Sequence, residues 1–231
     1  MHRRFRAFAA LALLASGASA QVDPKNPSCP LQPNWGEVRE MQFRADTRGG
    51  KKVLLAEGAI DEALLPRLQA ALTRNQPIDE IWFRSPGGNA KVGNEAGLLI
   101  RKTGIPTRIP AGWACFSACN FMFMGGVGRI VEPGGLFIVH MFTHTGDRAL
   151  IREEVKKGEQ STVSLIGEVE QESAMLASED NDFLIRMGVS RKLLTEVMYR
   201  QKAVEEQGED RSTRRCLTQD ELYKYNVANL R

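Results

Sequence analysis

Short β-rich runs alternate with helix-spaced runs from residue 52 to residue 140, and this alternation narrows the fold more than any other feature. Residues 38–43 alternate weakly, Asp46-Thr-Arg-Gly-Gly50 makes a turn, and residues 52–56 run apolar, which together read as a hairpin. Asp61 can cap a helix carrying Leu64, Leu65, Leu68 and Leu72 at helical spacing. Residues 78–83 are β-rich and lead into Ser85-Pro-Gly-Gly88. A second helix then places Val92, Ala96, Leu99 and Ile100 on one face. Residues 106–109 read as a strand, and residues 117–124 as an apolar, helix-compatible run ended by Gly125-Gly-Val-Gly128. Residues 129–131 and 136–140 are strands around Pro133-Gly-Gly135. Strand and helix in this order predict an α/β layer fold of repeated βαβ units.

The pattern changes after His140. Residues 147–187 are polar and mostly helical, with Val155, Ile166, Val169, Leu176, Phe183 and Met187 as the apolar set and Gly188 as the stop. Ser190 opens a short helix through Tyr199, residues 201–215 read as a charged loop, and Thr218-Gln-Asp-Glu221 is a capping box for a last helix. The C-terminal part is therefore helical.

The first residues set the compartment. Basic residues 2–6, an apolar run at residues 7–14 too short to span a bilayer, and Ala18-Ser19-Ala20 fit a signal peptide over residues 1–20. No later stretch is long and apolar enough to span, so the expectation is an exported protein, periplasmic or secreted, with no membrane span after signal removal. The whole chain has 31 basic and 28 acidic side chains. Arg3, Arg4 and Arg6 leave with the signal, which brings the mature chain to formal neutrality and argues against nucleic-acid binding. Residues 21–36, with Pro24, Pro27, Pro30 and Pro33, read as an extended leader outside the packed core, followed by one domain over residues 37–231.

Four cysteines in an exported chain raise the question of disulfides, and three pairings are open. A Cys29–Cys216 staple is favoured because domain termini often lie close together. Cys115 and Cys119 flank Ser117 without a His or second Cys pair to complete a metal site, so no metal is expected. Past the signal the chain has two histidines, His140 at a strand end and His144 in a Thr-His-Thr-Gly turn, and His144 reads as structural. Ser117, in Gly112-Trp-Ala-Cys-Phe-Ser-Ala-Cys119, begins the apolar helix-like run, where free N–H groups favour developing negative charge. The glycines of Ser85-Pro-Gly-Gly88 allow the backbone to expose N–H groups to a ligand.

Strand–SPGG–helix, then strand–x–Ser–helix, then strand–His resembles the Clp protease family within the wider Clp/crotonase superfamily, most clearly over residues 52–140 and more faintly over 183–189 and 217–227. The resemblance implies a Clp/crotonase-type fold and a serine peptidase-like hydrolase. Ser117 would be the nucleophile, His140 its general base, and Gly88 and Ala118 the oxyanion-hole N–H donors, with no cofactor. The substrate would be a peptide or unfolded protein, cleaved without an ATPase partner, and a homo-oligomer is compatible with the resemblance. The family's orienting acid is unmatched: the corresponding position is Arg214, Asp210 would reach only if its loop bends, and Asp180 and Asp182 are the alternative acids. That mismatch leaves open a non-catalytic binding or assembly protein on the same fold. A crotonase-type coenzyme A enzyme is disfavoured by export and by the Ser/His pair. Mass spectrometry of protein recovered from the exporting cell's outer compartment is expected to find Gln21 as the first residue; retention of residues 1–20 would replace the signal peptide with an anchor.

Overall fold

The computed structural model describes residues 21–203 and 212–231; the expected signal segment and Asp210 lie outside the described residues. The chain opens with β1 (Val22–Asp23) and β2 (Asn26–Pro30), an antiparallel pair. β3 (Gln42–Arg48) and β4 (Lys51–Glu57) form the expected hairpin, turning through Gly49 and Gly50, both at positive φ, where a side chain would be strained. α1 (Leu64–Arg74), β5 (Glu80–Arg84), α2 (Ala90–Thr103) and β6 (Thr107–Ile109) follow. Then come β7 (Ala114–Phe116), α3 (Cys119–Met124), β8 (Arg129–Val131) and β9 (Leu136–His140). The larger sheet has the order β3-β4-β5-β6-β8 and is parallel except for its first hairpin.

A second sheet, β10-β9-β7, uses the late strand β10 (Arg214–Cys216), antiparallel to β9, while β7 and β9 are parallel. The two sheets meet at Ser85, just past β5. Its N–H donates to Ala114 O (3.0 Å) and its carbonyl accepts from Phe116 N–H (3.0 Å). The strand that carries the SPGG turn thus hands over to the strand that precedes Ser117. Leu54, Leu64, Leu68, Ile81, Phe83, Ile100, Met122 and Phe123 are fully buried in one core between the larger sheet and its helices, the arrangement expected when every βα unit turns its apolar face inward. α2 and α3 touch through backbone: a side chain on Gly97 would bring its Cβ within 2.4 Å of Phe121 O.

The helical part comprises α4 (Arg148–Lys157), α5 (Glu159–Met187) and α6 (Gln219–Lys224), with Gly158 separating the first two and Gly188 (φ +67°) ending α5. The helix expected from Ser190 is instead a π turn, Leu193–Val197, followed by a 3-10 turn, Met198–Arg200. The capping box at Thr218 and Glu221 is present. Arg129, 1% exposed, donates to Val227 O (2.8 Å), Asn226 O (2.8 Å) and Gly126 O (3.0 Å), which fixes the C-terminal residues to β8.

Residues 21–30 depart from the unpacked leader expected of a proline-rich stretch. The β1–β2 hairpin lies against β10: Cys29 and Cys216 are disulfide-bonded, Arg214 N–H donates to Asn26 Oδ1 (2.6 Å), and Cys216 N–H donates to Ser28 Oγ (3.1 Å). Proline excludes helix here but not extended backbone, and the buried polar side chains Asp23 and Asn26 are satisfied by each other and by Arg214.

Asp180 on α5 is 3% exposed, and its carboxylate receives one hydrogen bond, from Asn94 Nδ2 on α2 (3.1 Å). Burial, only partly offset by that bond, pushes its pKa up to about 6. A raised carboxyl pKa means the folded state holds its proton more tightly than the unfolded chain. This contribution is complete below the ordinary Asp pKa and falls away as pH rises through about 6. Asp180→Asn keeps the acceptor and removes the ionisation. It is expected to stabilise the fold by about 2–3 kcal/mol near pH 8, about half as much near pH 5 and far less near pH 4, read by urea denaturation at each pH. Equal effects at all three would show that ionisation is not the destabilising element.

Candidate active site

Ser117 occupies the turn between β7 and α3 at φ +57°, the left-handed region that a non-glycine residue adopts at a cost of about 1–2 kcal/mol. Three hydrogen bonds hold it there. Ser117 N–H and Asn120 Nδ2 both donate to Ile138 O (3.3 and 2.7 Å), and Asn120 N–H donates to Ser117 O (2.9 Å). A Cys115–Cys119 disulfide spans the same turn. Ser117 therefore does not begin a helix, as the apolar run implied. α3 opens at Cys119 and has 6 residues, too few for a strong dipole, so what the turn offers a developing anion is its free N–H groups.

His140 is the last residue of β9. Its Nε2 lies 2.6 Å from Ser117 Oγ and its Nδ1 lies 3.1 Å from Ser212 Oγ. Ser212 Oγ in turn reaches Thr213 O at 3.2 Å. With the Ser212 proton directed to that carbonyl, Ser212 accepts from Nδ1–H, and the bare Nε2 faces the Ser117 hydroxyl. Burial, with a smaller contribution from the Arg214 cation, lowers the His140 pKa to about 4. The ring is thus neutral at pH 7, the state a base requires, though a weak base. Its face packs on Phe116 (ring centroids 4.6 Å apart), and Trp35 stacks on Phe116 at 5.5 Å.

The SPGG turn leans on the Ser117 turn. A Cβ on Gly87 would lie 2.7 Å from Ser117 Cβ and 3.0 Å from Ala118 N, and a Cβ on Gly88 would lie 2.1 Å from Ile60 O. Only glycine permits both approaches, and both residues have positive φ. Among the described residues, neither Gly88 N–H nor Ala118 N–H donates to a protein acceptor. Two unengaged backbone donors beside a Ser–His pair are the elements from which an oxyanion site is built.

No acid stands behind the imidazole among the described residues. Asp180 bonds Asn94, Asp182 pairs with Arg186, and Arg214 sits opposite His140 in the β10–β9 register with its guanidinium turned to Asp23 (3.0 Å). Ser212 fills the place instead, a residue that nothing in the sequence distinguishes from other loop hydroxyls. His144 is half exposed and lies 3.9 Å from Glu172, on α5, away from Ser117.

No family model and no curated protein sequence matches the chain. Among solved structures, a mutant of ClpP1 from Listeria monocytogenes superposes with TM-score 0.50 at 16% identity, covering 77% of this chain and 88% of that one. A mutant of the membrane-bound stomatin-specific protease 1510-N gives TM-score 0.45 at 16% identity over 77% and 75% of the two chains. An enoyl-CoA hydratase from Shewanella pealeana gives TM-score 0.32 at 16% identity over 42% and 49%. The chain has a Clp-type α/β fold.

The Ser212 contact makes a direct prediction. Ser212→Asp sets a carboxylate at Nδ1 and is expected to move the His140 titration up from about 4 by about 1–3 pH units, followed by NMR of the imidazole. An unmoved titration would mean that Ser212 does not face the ring.

Proposed function

We propose that this chain is a serine hydrolase that cleaves peptide bonds in peptides or unfolded proteins outside the cytoplasm, through an acyl-enzyme and without an ATPase partner. The observation that carries this reading is the 2.6 Å contact between Ser117 Oγ and His140 Nε2, beside the free N–H groups of Gly88 and Ala118. The Ser117 hydroxyl attacks the substrate carbonyl carbon as its proton passes to Nε2, and the carbonyl oxygen, now anionic, turns to the two N–H donors. His140 then gives that proton to the departing amine nitrogen as the C–N bond breaks, leaving the acyl group on Ser117. Water repeats the sequence: its proton goes to His140, its oxygen bonds to the acyl carbon, and Ser117 regains its hydrogen as the carboxylic acid leaves. Ser212 holds the Nδ1–H tautomer but supplies no charge to stabilise the imidazolium, so catalysis is slower than with an acid in place. The compartment rests on residues 1–20 and is supported by the two disulfides, which persist in oxidising surroundings.

A second reading is a binding protein with a silent site, favoured by the low pKa of His140 and the uncharged partner at Nδ1. Labelling with a fluorophosphonate separates the two. Ser117→Ala is expected to abolish labelling, and His140→Ala to slow it by about 10³-fold or more, with both variants folded. Because the base form of His140 is needed, the labelling rate is expected to hold from neutral pH downward and fall only as pH drops through about 4. Folded wild-type protein that never labels would favour the binding reading, and an acid limb near pH 6–7, the range of an unperturbed imidazole, would mean that burial does not lower the His140 pKa or that another base acts.

A further inference from the structure

A concavity of about 760 Å³ starts one residue past His140. Residues 141–145 and the α4–α5 pair line it, together with Tyr199 from the 3-10 turn packed on β9. Its surface is mainly apolar. Leu150 (44% exposed) and Ile166 (53%) stand open to solvent on the helical wall, and the buried Tyr199 hydroxyl has no partner among the described residues. Among the described residues its charges have one sign: Asp147, Glu168, Glu170 and Glu172 line it, and no described Lys or Arg does. The bias belongs to the whole element, for α5 carries acids and no basic residue until Arg186. On α4, Lys156 and Lys157 pair with Glu153 and Glu154, and Arg148 and Arg152 are not among the lining residues.

An apolar trough of this size fits several bulky side chains, and its carboxylates repel anionic chains while drawing cationic ones. A two-fold contact of α5 with its own copy is disfavoured, because it would set these carboxylates against their own counterparts. We infer that the groove binds the substrate chain of the proposed hydrolase and selects cationic amphipathic peptides. Large apolar side chains enter between residues 141–145 and α4–α5, and neighbouring Lys or Arg side chains meet Asp147, Glu168, Glu170 and Glu172. The inference deepens the hydrolase reading and rests on it for the position of the scissile bond next to Ser117.

Three synthetic peptides test it, with identical Leu and Phe positions and with Lys, Gln or Glu between them. Binding is measured by fluorescence anisotropy to Ser117→Ala protein, and cleavage by mass spectrometry with wild type. The Lys peptide is expected to bind and to be cleaved about tenfold better than the Gln peptide, and the Glu peptide least. The preference is expected to shrink with added salt, and to be lost when Glu168→Gln, Glu170→Gln and Glu172→Gln are combined in a variant of unchanged thermal stability. Equal binding of all three peptides overturns the inference, as does sedimentation showing the groove closed by a second copy of the chain. Fluorophosphonate labelling of wild type keeps the two readings apart. Labelling without charge preference removes the groove assignment and leaves the hydrolase. Charge-selective binding by a protein that never labels removes the hydrolase and leaves a peptide-binding groove.

Discussion

The backbone of Ser85 hydrogen-bonds to β7 in both directions, and the relation of every other part of the site to the larger sheet depends on that junction. It ends β5's membership of the first sheet and commits the chain to the second. It also sets the SPGG turn against the Ser117 turn, closely enough that Gly87 cannot carry a side chain. On the far side of β7, Ile138 O receives both Ser117 N–H and the Asn120 side chain. Since Ile138 lies two residues before His140 on the same strand, one carbonyl fixes how far the serine stands from the imidazole. The Ser–His distance is thus a property of sheet register, held by backbone groups that are paired in the resting protein and need no rearrangement.

The electrostatics at His140 follow from what surrounds it. An imidazole packed on Phe116, with Arg214 nearby and only a hydroxyl at Nδ1, has little to favour its charged form. It stays neutral to low pH and gains less from taking a proton than a histidine backed by a carboxylate. Arg214 is prevented from facing the ring because Asp23, reaching in from the N-terminal hairpin, takes its guanidinium.

The features legible in the sequence were those encoded by local rules. The periodicity of Leu64, Leu68 and Leu72 gave α1, Gly49-Gly50 gave the β3–β4 turn, and Thr218 with Glu221 gave the cap of α6. The order SPGG, Ser117, His140 brought together the residues that the fold places in contact. What sequence could not show depends on long-range packing. Ser117 sits in the left-handed region because its neighbours in three dimensions hold it there, against its own preference. Ser212 reaches His140 because β10 pairs with β9, and nothing near Ser212 in sequence records that pairing. The proline-rich segment looked unpacked because its partners, Arg214 and Cys216, lie at the other end of the chain.

The β1–β2 hairpin has a topological consequence. Its residues begin at the expected signal-peptidase junction, yet through Asp23, Asn26 and Cys29 they brace the strand whose Arg214 lies opposite His140. The residues just after the expected cleavage point are therefore structurally part of the wall behind the imidazole. A tag fused directly before Gln21 would join the chain at that brace, whereas an extension after Arg231 would leave from the β8 side, where Leu230 N–H is bonded to Arg129 O. The two ends of this chain are not equivalent places to attach anything.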